Sequence, residues 1–163
     1  MGKQYTTFLE YLKQEYKGPY SATDIIIRYN DEIKKGVVMI ERKFFPFGIA
    51  WPGGMAEYMT LSQNAIKEAE EETGLTVVLD DSDRPLCVFS EPTQDPRAFI
   101  ASIAYTGIGK GILKPHKNED AKRAFIVTLD ELANILLQPE KWAFPDHHRK
   151  IGERYLREVG YKE

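Results

Sequence analysis

Residues 52–75 read PGGMAEYMTLSQNAIKEAEEETGL, and the acidic end of this stretch decides the fold. The Pro52-Gly53-Gly54 turn precedes a segment of helical composition, with Thr60 or Ser62 placed to serve as N-cap. Gly74 stands where a helix takes a left-handed terminating residue. Glu68, Glu70, Glu71 and Glu72 crowd the last turn before it. An isolated helix is weakened by this, because its C-terminal dipole end prefers cations by about 0.3–1 kcal/mol per charge. Glu68 and Glu72 are also a like-charge i, i+4 pair, which adds to the cost. At about 100° per residue, Glu68, Glu71 and Glu72 share one face while Glu70 points away. A divalent cation turns this local penalty into a gain, since hard cations take oxygen ligands. The competing reading is a solvated acidic face with Lys67 paired to Glu70 or Glu71. The turn and the closing glycine that frame the cluster favour a metal site.

With Gly53, Glu68, Glu71, Glu72, Gly74 and Leu75 at these spacings, the stretch resembles the Nudix box, G-x5-E-x7-R-E-U-x-E-E-x-G-U, where U is bulky and aliphatic. Two positions depart from it. Met59 stands where the box has its first Glu, and Lys67 where it has Arg. In the family that Arg holds a catalytic Glu by a salt bridge; Lys keeps the charge and loses the planar fork. Ala69 replaces a bulkier aliphatic residue. Asp95-Pro96-Arg97, Asn118-Glu119-Asp120-Ala121 and Ala143-Phe144-Pro145-Asp146-His147 are similar to segments of the bacterial and archaeal ADP-ribose pyrophosphatase branch.

The resemblance implies an α/β fold, an α/β/α sandwich with a mixed sheet and the Glu-rich catalytic helix. It implies Mg²⁺, with Mn²⁺ possible, at Glu68, Glu71 and Glu72. The reaction it implies is hydrolysis of a nucleoside diphosphate linked to another moiety, with ADP-ribose giving AMP and ribose 5-phosphate as first choice. A catalytically weakened nucleotide-binding sensor is the alternative, as is a hydrolase for dNTPs, NADH or sugar nucleotides. A homodimer with the amino-terminal segment contributing is also implied.

The chemistry can be assigned residue by residue. Glu68 and Glu72, one turn apart, suit direct coordination of an ion that retains waters, with Glu71 completing the shell or holding a second ion. Lys67 takes the supporting role of the box Arg. A further base comes from Glu119 or Asp120, on a loop with Lys, His and Asn neighbours. For the phosphates the candidates are Arg42, Lys43 and Arg97, of which Arg97 is preferred for its Asp95-Pro96 turn and bidentate head. Gly53 and Gly54 join the substrate-binding set. Phe44, Phe45, Phe47 or Tyr29 offers a face on which a base can stack. Adjacent His147 and His148 point about 100° apart on a helix and make no two-ligand face.

At 163 residues the chain is expected to form one domain, 1–163, with 1–20 as an amino-terminal helical extension. A net charge of −3 gives no nucleic-acid footprint. No apolar run approaches the roughly 18 residues that span a membrane. The single cysteine, Cys87, cannot form an internal disulfide, so a reducing, cytoplasmic setting is expected. Apolar periodicity predicts helices over 7–16, from Thr60 or Ser62 to Thr73, and over 129–137 and 145–158. Strands are predicted over 22–29, 36–42, 75–79, 86–89, 99–105 and 124–127.

Overall fold

The computed structural model describes residues 6–116 and 120–162. Two long strands form its centre. The β1 strand (Tyr20–Asn30) and β7 (Ile100–Lys110) pair in parallel, from Tyr20 opposite Ile100 to Arg28 opposite Ile108. The uninterrupted Ile25-Ile26-Ile27 run suits this place, because a strand covered on both faces needs apolar residues in both phases of its pleat. All other pairings are antiparallel. The β2 strand (Lys35–Arg42) follows a turn and joins β1, with β8 (Ala121–Val127) and the short β3 (Ile49–Ala50) on β2. The β4 strand (Gly53–Met55), β5 (Thr76–Leu79) and β6 (Cys87–Phe89) complete an eight-stranded mixed sheet.

The sheet forks at its centre. Ala22, Thr23 and Asp24 of β1 pair with β4, whereas Ile27 onward pairs with β2. On the far side, Ser102–Ala104 of β7 face β6, and the strand pairs with β5 from Gly107. Both central strands therefore change outer partner about halfway along.

Helices cover both faces. The α1 helix (Phe8–Glu15) buries none of its residues. The acidic helix α2 (Leu61–Thr73) packs Ala65 and Ala69 on Ile25, Ile27 and Val38. On the opposite face α3 (Leu129–Leu137) and α4 (Asp146–Glu158) bring Leu132, Ile135, Ile151 and Tyr155 onto Ile26, Val37, Met39 and Trp51. The three layers are the expected sandwich. Among the described residues, no helix is long and apolar enough to cross a membrane.

Thr60 is the N-cap of α2: its hydroxyl accepts from the Gln63 N–H, and the Gln63 side chain accepts from the Thr60 N–H at 3.1 Å. Gly74 stops the helix with φ 73°. Elsewhere the boundaries shift. The β7 strand runs to Lys110 instead of ending at Tyr105, through two glycines that break the apolar pattern. Contact requires both: a Cβ on Gly107 would lie 2.7 Å from the Val78 carbonyl oxygen, and one on Gly109 2.8 Å from side chains of Ile27 and Leu75. Strands β3 and β4 are too short to leave a periodic signal. Pro145 precedes α4 as its N-cap instead of lying inside it.

Candidate active site

Asn64 fastens α2 to the sheet. Its side-chain N–H donates to the Thr23 hydroxyl at 2.8 Å, and its carbonyl oxygen accepts from the Glu57 N–H at 3.0 Å. The fully buried Ala65 and Ala69 let the helix lie close to the strands. This brings the end of α2 against the glycine turn. Glu72 is 4% exposed and accepts the Gly53 N–H at 2.8 Å. Glu68 lies over Gly54, where a Cβ would stand 2.6 Å from the Glu68 carboxyl carbon. The two turn glycines thus sit beneath the two carboxylates, and Gly54 leaves Glu68 its space.

Burial pushes the Glu72 carboxyl up to about 8 against the Gly53 hydrogen bond; Glu68 and Asp120 push the same way, and Arg42 opposes. Burial also raises Glu68, opposed by Lys67. Two hard oxygen donors line one cavity, which fits a magnesium-sized ion that keeps most of its own waters. Glu71 is placed differently. Its carboxylate binds Lys67 Nζ at 2.8 Å and does not line the cavity. Among the described residues, no three or more His, Cys, Asp or Glu side chains stand together ready to hold an ion. The structure therefore brings Glu68 and Glu72 together and leaves Glu71 on the lysine.

Lys67 serves several carboxylates at once, reaching Glu57 at 3.1 Å and Glu68 at 3.4 Å besides Glu71. A point charge on a flexible stem can be shared this way, whereas a guanidinium fork grips one partner. Glu57 lines the cavity and Met59 does not. A carboxylate is thus present near the first acidic position of the box, two residues early.

The cavity, of about 330 Å³, is also lined by Arg42 from β2 and by Arg97. Asp95 holds the Arg97 guanidinium in two bonds, of 3.0 and 2.8 Å, and accepts the Arg97 backbone N–H at 2.9 Å. Arg97 is therefore pre-oriented. Arg42 Nε is buried without a hydrogen-bond partner. Gly53, Gly54, Phe44, Phe45 and Asp120 also line the cavity, and both phenylalanines are exposed. Phe47 faces neighbouring cavities instead, and the Tyr29 hydroxyl donates to the Gly111 carbonyl at 2.7 Å, away from the site. The Lys43 backbone N–H donates to the Asp120 carbonyl, but its side chain is not part of the wall. Glu119 lies outside the described residues.

Sequence reasoning did not find one buried polar part of the cavity lining. It is made by Asp24 and Ser102, hydrogen-bonded to each other on the paired central strands, with His147 and His148 from the first turn of α4. The imidazole rings lie 4.4 Å apart at 71°, and burial lowers both pKa values, that of His148 strongly. His148 Nδ1 accepts the Trp51 N–H at 3.0 Å, and the Trp51 indole N–H donates to the His148 carbonyl at 2.8 Å. These residues come from distant parts of the chain. No local pattern announces them.

Residues 19–153 match the NUDIX domain family. The chain belongs to the Nudix family. Its acidic helix, glycine turn and sandwich are the Nudix box and the Nudix fold. Among solved structures, a MutT/nudix family protein from Enterococcus faecalis is 28% identical, with a TM-score of 0.57 over 74% of this chain and 51% of that one. This Nudix domain thus spans about half the length of that relative. The NUDIX domain of Shewanella oneidensis NrtR, complexed with ADP ribose, is 17% identical with a TM-score of 0.69, covering 94% and 99% of the two chains. A Francisella tularensis bifunctional NMN adenylyltransferase/ADP ribose pyrophosphatase, complexed with AMP and a Mn ion, is 24% identical with a TM-score of 0.68 over 91% and 44%. No curated protein matches the chain in sequence.

Proposed function

We propose that this Nudix domain hydrolyses a nucleoside diphosphate linked to another moiety, with ADP-ribose giving AMP and ribose 5-phosphate. One observation carries the reading: a single cavity is lined both by the acidic Glu68 and Glu72 and by the basic Arg42 and Arg97. A diphosphate bridging a divalent cation and a pair of cations needs both signs of charge. Mg²⁺ or Mn²⁺ held by Glu68 and Glu72 would polarise the phosphoryl oxygens and acidify a bound water. Arg97, set by Asp95, grips phosphate oxygens, and Arg42 lends its unpartnered Nε. Phe44 or Phe45 stacks on the base, and Asp120 or Glu119 receives a proton from the attacking water. Water adds to one phosphorus, the bridging P–O bond breaks, and two monophosphates leave. ADP ribose in the Shewanella domain and AMP with Mn in the Francisella protein support the choice of substrate.

A substrate panel with Mg²⁺ or Mn²⁺ tests this. AMP released from ADP-ribose is the expected result, with KM raised about tenfold or more in Arg97→Ala. Pyrophosphate released from a dNTP would redirect the assignment. The sensor reading is favoured by Lys67, whose charge is spread over Glu57, Glu68 and Glu71 instead of gripping one of them. Nucleotide binding without turnover under either metal would select it. A reducing, cytoplasmic setting and a homodimer belong to the same proposal. The exposed Phe8 and Leu9 of α1, which has no buried residue, motivate the dimer. Sedimentation as a monomer at micromolar concentration would exclude it.

A further inference from the structure

His148 is a buried polar side chain of the cavity lining that the proposed chemistry leaves without a task. It belongs to the layer opposite the acidic helix and is 1% exposed. Its two ring nitrogens face different elements. Because the Trp51 N–H donates to Nδ1 at 3.0 Å, the ring proton of the neutral imidazole sits on Nε2. Nε2 lies 3.5 Å from one oxygen of Asp24, whose other oxygen accepts the Ser102 hydroxyl. On the next strand segment, Gly53 pairs with Asp24 in the sheet register and donates its N–H to Glu72 at 2.8 Å. A continuous set of contacts therefore joins Ser102, Asp24, His148, the Trp51–Gly53 backbone and Glu72.

We propose that His148 is a positioning residue for Glu72. By accepting the Trp51 N–H it fixes the backbone leading to Gly53, and thereby where the Gly53 N–H holds the carboxylate. The proposal rests on the reading of Glu72 as the metal-holding carboxylate of a hydrolase. It differs from simple packing, which any side chain of similar size and polarity would satisfy. The acceptor at Nδ1 carries the effect, and the donor at Nε2 only orients the ring.

Two amide variants separate these roles. In His148→Asn the amide oxygen falls near the place of Nδ1 and keeps an acceptor for Trp51. In His148→Gln the amide reaches the place of Nε2 and abandons Trp51. With Mg²⁺ and ADP-ribose, His148→Gln is expected to lose about 30-fold in kcat with KM within about threefold, and His148→Asn to stay within about threefold of the parent. In the metal-free protein, amide exchange at Gly53 should accelerate about tenfold or more in His148→Gln and remain near the parent rate in His148→Asn. Ser102→Ala, a smaller change that loosens Asp24, should shift kcat and Gly53 exchange in the direction of His148→Gln.

Equal losses in the two amide variants would overturn the proposal, as would Gly53 exchange indifferent to His148→Gln. If His148→Gln does not fold, unchanged kcat and exchange in Ser102→Ala would overturn it as well. Failure of the functional reading looks different: the parent protein hydrolyses no diphosphate, while Gly53 exchange still responds to His148→Gln.

Discussion

Glu72→Gln is expected to lower kcat by about 10³ or more and, in chelator, to make the protein more stable than its parent at alkaline pH. Both effects follow from one carboxylate. It is buried, accepts the Gly53 backbone N–H, and shares a cavity with Glu68. Its pKa is raised from an ordinary 4.5 to about 8. Below about pH 4.5 the group is protonated whether the chain is folded or not, and it costs nothing. Between there and about pH 8 the unfolded chain releases this proton more readily, so stability falls as pH rises. Above that window the penalty is constant, on the order of 5 kcal/mol, and glutamine does not carry it. Melting curves of both proteins at pH 4.5, 6 and 9 test the sign. Mg²⁺ should raise the Tm of the parent and leave that of the variant nearly unmoved. Equal shifts in the two would place the ion elsewhere.

Gly54→Ala is expected to cost about 10² in kcat with little loss of stability. The three atoms nearest the added methyl all belong to the Glu68 carboxylate, which is the end of a flexible side chain and can move aside. The fold survives while the carboxylate leaves its place. Gly53→Ala should behave oppositely. Its Cβ would lie 2.9 Å from the Asp24 Cα, so the strand backbone must shift, at a cost of about 2 kcal/mol. Steady-state kinetics and thermal melts of the two variants, side by side, separate a site defect from a folding defect. Matching profiles would refute the distinction.

What could be read from the sequence was what the chain decides locally. The Thr60 cap, the Gly74 stop and the crowding of Glu68, Glu71 and Glu72 lie within one helix, so periodicity and capping rules suffice. Where Glu71 turns was legible as the competing reading, a pair with Lys67, and not as the preferred metal ligand. It shares a helical face with the other two, yet Lys67, one turn earlier, claims its carboxylate. Asp24, Ser102 and His148 were beyond reach for a different reason. Each is an unremarkable residue in its own segment, and they meet only because β1 pairs with β7 and α4 packs beneath them. Glu57 lay within the box region, but its turn, in which the Met59 N–H donates to the Glu57 carbonyl, has no periodic signature.

The forked sheet separates two kinds of heritable change. Asp24 and Ser102 belong to the central pair, and β4 delivers the glycines beneath the acidic helix, so this part of the candidate site is built on paired strands. Phe44, Phe45 and Arg97 instead occupy connections between strands. Insertions or swaps in those connections would be expected to retarget the proposed chemistry toward another leaving group while the paired strands that carry the acidic helix stay in place.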